Sequence, residues 1–243
     1  MIVNSTAVVT GASSPIGRAI ALELARSGRS VVLHGFRNAE ALQNLKLEVQ
    51  SLGAATWTYM ANFAIEEQLD AFCDFARECC DGAPQSLIIA SSSGVMRPMG
   101  SLTRKHLDWT FRVSSFPVLE LSVNLQASSI VLVSSLGARM VVPSYAALGA
   151  AKSAAETLAR YLAVELAPMC RVNVISAGLV KTSSAKRLEG YAELVEKKSA
   201  STPASRLVVP EDIARVARWL CDPDSSMVTG NTIYLDGGER LRY

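Results

Sequence analysis

Short apolar runs alternate with longer amphipathic segments along nearly the whole chain, and few folds accommodate that alternation. Thr6 to Thr10, Ser30 to Leu33, Ala55 to Met60, Ser86 to Ala90, Ile130 to Val133, Arg171 to Ile175 and Thr232 to Leu235 read as strands. Between them, Ile16 to Ser27, Ala39 to Leu52, Glu66 to Cys80, a stretch near Thr103 to Leu125, an alanine-rich stretch from near Ser144 to Leu166, and Pro210 to Cys221 read as helices. Strands alternating with helices predict an α/β fold, a doubly wound parallel sheet of Rossmann-like type. The 243 residues suit one such domain spanning 1–243. Pro117 within the fourth helical stretch predicts a kink or a break there. Lys181 to Ala204 is polar and is expected to serve as a substrate lid.

Composition removes several function classes. A net charge of +2 without a basic run gives nucleic acid binding no electrostatic support. The cysteine count is 5, odd, and no pair has CxxC spacing, so neither a disulfide framework nor a metal site is indicated. The start, MIVNSTAVVTG, reads as too polar and short for a secretory leader, so none is expected, and no long uncharged apolar run predicts a membrane span. A cytoplasmic protein with reduced thiols is expected.

The first strand runs into TGASSPIG, where Gly11 and Gly17 bracket a strand-to-helix turn. Such a turn brings backbone N–H groups and a helix N-terminus up to a pyrophosphate. The end of the second strand discriminates between cofactors. An acid there would take a ribose hydroxyl, but the chain reads His34-Gly35-Phe36-Arg37-Asn38. Arg37 is suited to a 2′-phosphate, so NADPH is the expected cofactor. Asn62, after the third strand, is placed to meet an adenine edge. Ser91-Ser92-Ser93-Gly94, after the fourth, is small enough for the backbone to approach a ribose.

The fifth strand leads to SSLGARMVVPSYAALGAAK, from Ser134 to Lys152. Tyr145 and Lys152 are two helical turns apart, so on a helix they share a face, and the lysine leans back toward the tyrosine. A phenol and an ammonium on one face suit hydride chemistry. The phenol donates to a developing oxyanion, while the ammonium binds a sugar hydroxyl and adds positive potential.

TGASSPIG, the strand followed by SSLG, the Tyr145/Lys152 pair and the closing TGNTIYLDGG together resemble a short-chain dehydrogenase/reductase, over the whole chain. Most of that family place tyrosine four residues before lysine, where this chain has Leu148. The Y-x6-K spacing resembles instead the divergent enoyl-acyl-carrier-protein reductase branch, in its NADPH-using form. SSSGVMRP and TPASRLVVPEDIARVARWL are similar to that branch too. The resemblance implies catalytic roles for Tyr145, Lys152 and Ser135. It implies cofactor contacts at Gly11, Ser13, Ser14, Ile16, Gly17, Arg37, Asn62, Ser91, Gly94, Lys152, Gly178 and Thr182. It implies a homotetramer with the long helix Tyr145–Leu166 in an isologous interface. The chain departs from the family pattern at Pro15 in the glycine turn, at Ser91 to Ser93, at Ser114 where a helix asparagine is usual, and at Ala177-Gly178.

The expectation is an NADPH-dependent reductase acting on the C=C bond of an enoyl thioester, small or carrier-protein-bound, with specialisation for one biosynthetic pathway among the readings left open. Reduction of a carbonyl or another olefin with the same proton donor stays open. So does a class without catalysis, a cofactor-binding or oligomer-filling relative of the same fold.

Overall fold

The computed structural model describes residues 5–182, 185–188 and 190–241. Seven strands, β1 (Thr6–Thr10), β2 (Ser30–Gly35), β3 (Thr56–Met60), β4 (Ser86–Ile89), β5 (Ser129–Ser135), β6 (Arg171–Ala177) and β7 (Thr232–Leu235), form one sheet in the order β3-β2-β1-β4-β5-β6-β7. Every pairing is parallel. The order reverses between β1 and β4, which opens a crevice at the carboxyl ends of the strands. The doubly wound reading is therefore correct.

Both faces of the sheet are covered, which is why its strands are nearly continuous apolar runs. The pleat sends alternate side chains to opposite sides. Ala7 and Val9 of β1 join a core with helices α1 (Pro15–Arg26), α2 (Ala39–Ser51) and α8 (Pro210–Cys221). Val8 joins the opposite core, with α3 (Glu66–Cys80), α5 (Phe116–Leu125) and α6 (Ala146–Glu165). The β5 side chains divide the same way, Val131 and Val133 to the first core, Ile130 and Leu132 to the second.

The break expected at Pro117 is present. Helix α4 (Arg104–Ser114) ends, Ser115 intervenes, and Pro117 stands in the first turn of α5, where its missing N–H costs nothing. The segment expected to be a lid carries α7 (Tyr191–Ser201). Ser183, Ser184 and Glu189 of that segment lie outside the described residues. Among the described residues, no helix is long and apolar enough to cross a membrane.

Candidate active site

A cavity of about 300 Å³ lies over the carboxyl ends of the strands. The turn before α1, the loops after β4, β5 and β6, the start of α6 and the α7 segment form its wall. Of the expected site residues it gathers Ser14, Ile16, Ser135, Tyr145, Lys152, Gly178 and Thr182. Gly11, Ser13, Gly17, Arg37, Asn62, Ser91 and Gly94 stand behind or beyond that wall.

The glycine turn is held together by its own chain. A Cβ on Gly17 would meet the Gly11 carbonyl oxygen at 2.3 Å, and one on Gly11 would meet the Ser91 backbone at 2.8 Å. Gly11 also has φ +67°, a left-handed conformation that favours glycine. The Gly17 N–H donates to the Ser14 hydroxyl at 3.1 Å, the cap of α1. The Gly11 N–H donates to His34 Nδ1 at 3.2 Å. His34 is buried, stacks on Phe63 at 3.9 Å, and makes a bond of 3.0 Å between Nε2 and the Ala61 carbonyl. Burial lowers its pKa to about 4, so the ring is neutral and Nδ1 can accept. Pro15 has no N–H, and the Ile16 amide makes no hydrogen bond within the described chain. That amide and the Ser13 amide, likewise without a hydrogen bond among the described residues, are free for an anion at the helix N-terminus. Ser13 lies half-buried in the same turn.

Arg37 is exposed just past β2, its guanidinium 5.0 Å from the Phe36 ring centre. The Asn62 side-chain oxygen accepts from the Ala64 amide at 3.1 Å, and the Asn62 N–H donates to Gln68 at 2.7 Å. Ser91 bonds Thr10 at 2.9 Å. Gly94 lets Thr110 and Leu148 pack close: a Cβ there would meet Thr110 at 2.7 Å and Leu148 at 3.0 Å. The Ser114 hydroxyl accepts from the Ser93 amide at 3.0 Å and donates to the Ser93 carbonyl at 2.5 Å. It thus pins the loop after β4.

The other wall is made by side chains. The pairing of β5 with β6 runs on through Ser134 and Ser135, which aligns both serines at the sheet end. Tyr145 sits just before α6 rather than on its first turn, because Ser144 has φ 60° and helical geometry starts at Ala146. The Tyr145 hydroxyl donates to Ser135 Oγ at 3.4 Å. Burial raises the phenol's pKa and the Ser135 bond opposes it, so the group stays a protonated donor at neutral pH. Lys152 Nζ donates to the Val133 carbonyl at 3.2 Å. Its pKa falls to about 8, chiefly from burial, with the Glu156 charge pulling the other way. Leu148, one turn below Lys152, adds an apolar side chain to the wall.

The rest of the wall is largely apolar and escaped sequence reading: Met96, Leu136, Met140, Val142, Leu188 and Leu194. Glu239 also went unforeseen. Its carboxylate accepts from the Leu179 amide at 3.2 Å and pairs with Lys198 of α7 at 3.0 Å. Scattered loop hydrophobics have no periodicity, so no sequence signal marks them. For Glu239, its place directly after the Asp236-Gly237-Gly238 turn was the available sign.

The donor set fits a nicotinamide dinucleotide: a free helix N-terminal amide for phosphate, and a buried ammonium and small hydroxyls for sugar. A parallel sheet with a reversal crevice and a Ser–Tyr–Lys wall defines a Rossmann-like oxidoreductase. Residues 11–239 match the family described as Enoyl-(Acyl carrier protein) reductase, and the chain belongs to it, within the short-chain dehydrogenase/reductases. The 1-cyclohexenylcarbonyl-CoA reductase of Streptomyces collinus is 30% identical over 244 residues, 97% of this chain and 86% of that protein. The 7alpha-hydroxysteroid dehydrogenase of Escherichia coli K12 is 30% identical over 240 residues, 96% and 92% of the two chains. A solved 7 alpha-hydroxysteroid dehydrogenase, complexed with NADH and 7-oxo glycochenodeoxycholic acid, superposes with a TM-score of 0.89 at 28% identity. That match covers 96% of this chain and 93% of the other. Levodione reductase, at 24% identity and a TM-score of 0.91 over 98% of both chains, shares the fold.

Proposed function

We propose that this chain is an NADPH-dependent reductase of the C=C bond of an enoyl thioester. The observation that carries the reading is the pairing of Tyr145 Oη with Ser135 Oγ at 3.4 Å while Leu148 fills the position one turn before Lys152. The family match and the cyclohexenylcarbonyl-CoA reductase relative support it. The apolar wall suits an acyl group.

NADPH, when bound, supplies hydride to the β-carbon. Tyr145 donates its hydrogen bond to the thioester oxygen as the alkene electron pair moves toward it. A single preorganised donor of this kind contributes on the order of 3 kcal/mol in the transition state. When Tyr145 turns its single proton from Ser135 to the thioester oxygen, Ser135 still accepts from the Gly137 amide and its own proton is free to donate to the Tyr145 oxygen or to the substrate. Lys152 would hold ribose hydroxyls and add positive potential beside the phenol. A proton from solvent at the α-carbon completes the saturated thioester. Gly11, Ser13, Ser14, Ile16, Gly17, Asn62, Ser91, Gly94, Gly178 and Thr182 would hold the dinucleotide, with Arg37 serving the 2′-phosphate.

The enzyme works in the cytoplasm as a homotetramer on a small or carrier-bound acyl substrate. Exposed Tyr161 and Val164 on α6, with Leu119 and Val123 on α5, support self-association. Carbonyl reduction is the second reading, favoured by the hydroxysteroid dehydrogenase relative. The deciding assay offers crotonyl and acetoacetyl thioesters separately with NADPH and identifies the products. Saturated acyl product is expected from the first. Hydroxyacyl product from the second, with none from the first, would transfer the assignment to a carbonyl reductase.

A further inference from the structure

Glu156 is a carboxylate with 0% side-chain exposure, one helical turn beyond Lys152, and the reaction above makes no use of it. A buried carboxylate without partners is costly, and this one has several. Ser134 donates to one oxygen at 2.6 Å, and Arg139 Nε donates to the other at 3.0 Å. Arg139 closes the short turn after β5, so it joins helix α6 to the loop carrying Met140 and Val142 into the cavity. Ser153 ties the same turn to α6 by donating to the Ala138 carbonyl.

We infer that Glu156 is a positioning residue of the active site: it sets a buried negative charge one helical turn beyond Lys152, and its two oxygens hold the Ser134 strand end and the Arg139 loop. The inference rests on Lys152 serving the site as an ammonium. It does not depend on which double bond is reduced.

The surrounding charges are few. Along its own helix Glu156 meets Lys152 by charge, and Arg160 reaches its backbone carbonyl at 3.3 Å. The Tyr234 phenol on β7 faces Arg139 from the far side. Helices α4 and α5 also pack on α6, but their ionisable groups point elsewhere. Asp108 pairs with Arg112, His106 caps α4, and Glu120 faces Glu66 and Asp70. Arg171 on β6 turns to the Leu220 and Val228 carbonyls. Beyond burial, the charge that acts on Lys152 is that of Glu156, which favours its protonated form.

Two substitutions separate charge from structure. Glu156→Gln removes the favourable charge, so Lys152 should lose its proton at lower pH. Glu156→Asp keeps a carboxylate at the same helical position, so Lys152 should titrate close to its unmodified midpoint. The 243-residue protein with 13C-labelled lysine is titrated by NMR, and the Lys152 resonance is assigned by its loss in Lys152→Arg. The unmodified midpoint is expected at about 8. Glu156→Gln should lower it by about one pH unit or more, and Glu156→Asp should leave it nearly unmoved. General loosening of the fold would move both. An unmoved midpoint in folded Glu156→Gln, or an equal fall in Glu156→Asp, overturns the inference, and if Glu156→Gln does not fold, Glu156→Ala is titrated in its place and decides by the same criterion. The readout needs no turnover, so a wrong choice of substrate leaves the result intact.

Discussion

Across the reversal between β1 and β4, the two halves of the site hold their polar groups in opposite ways. On the β1–β2 side the chain itself holds many of the polar groups. The Gly11 amide donates to His34, the Gly17 amide donates to Ser14, and the Asn62 side-chain oxygen accepts from the Ala64 amide, which leaves the Ser13 and Ile16 amides for a ligand. The glycines there serve the chain's own close packing as much as any ligand. On the β5–α6 side the groups are side chains under electrostatic tension. Tyr145 is a half-buried phenol with a raised pKa, Lys152 a buried ammonium lowered to about 8, and Glu156 a buried carboxylate. A rigid bed held by its own hydrogen bonds can present its few free amides to a ligand with little reorganisation. Proton donation requires groups whose charge costs free energy, because only these respond strongly when charge develops nearby.

If that contrast holds, substitutions on the two sides should separate catalysis from binding. The largest effect is expected from Tyr145→Phe, which removes only the hydroxyl. Turnover of an enoyl thioester should fall on the order of 10²–10³-fold, while NADPH affinity, followed by its fluorescence, stays nearly unchanged. Equal losses in both would erase the contrast. Arg37→Asp should do the reverse. It should cost about 1.5–3 kcal/mol of NADPH binding through the lost charged hydrogen bond, leave NADH affinity near its starting value, and spare turnover at saturating cofactor. Indistinguishable NADPH and NADH affinities in the unmodified protein would remove Arg37 from the site. The smallest effect is expected at Pro15, which has no N–H to lose. Pro15→Gly should keep or tighten NADPH binding as judged by the same titration, and a large loss would mean that the ring itself shapes the turn.

Much of the fold was legible in the sequence because it rests on local rules. Strand and helix periodicities, Pro117 and the glycines each act over a few residues, and α3, α8 and β7 begin and end where those patterns do. Two-turn spacing singled out Tyr145 and Lys152, and the folded chain puts both in the wall of one cavity, although Tyr145 stands just before α6 rather than on it. Tertiary structure decided the rest. The left-handed Ser144 moved Tyr145 off the helix and onto Ser135. Strand order brought His34 to Gly11, and loop packing brought Glu239 against Leu179. The same packing closed Glu156 off from solvent between Ser134 and Arg139. Sequence alone carries spacing along the chain. Burial, and with it the cost of each charge and the partner that offsets it, exists only once distant segments pack together.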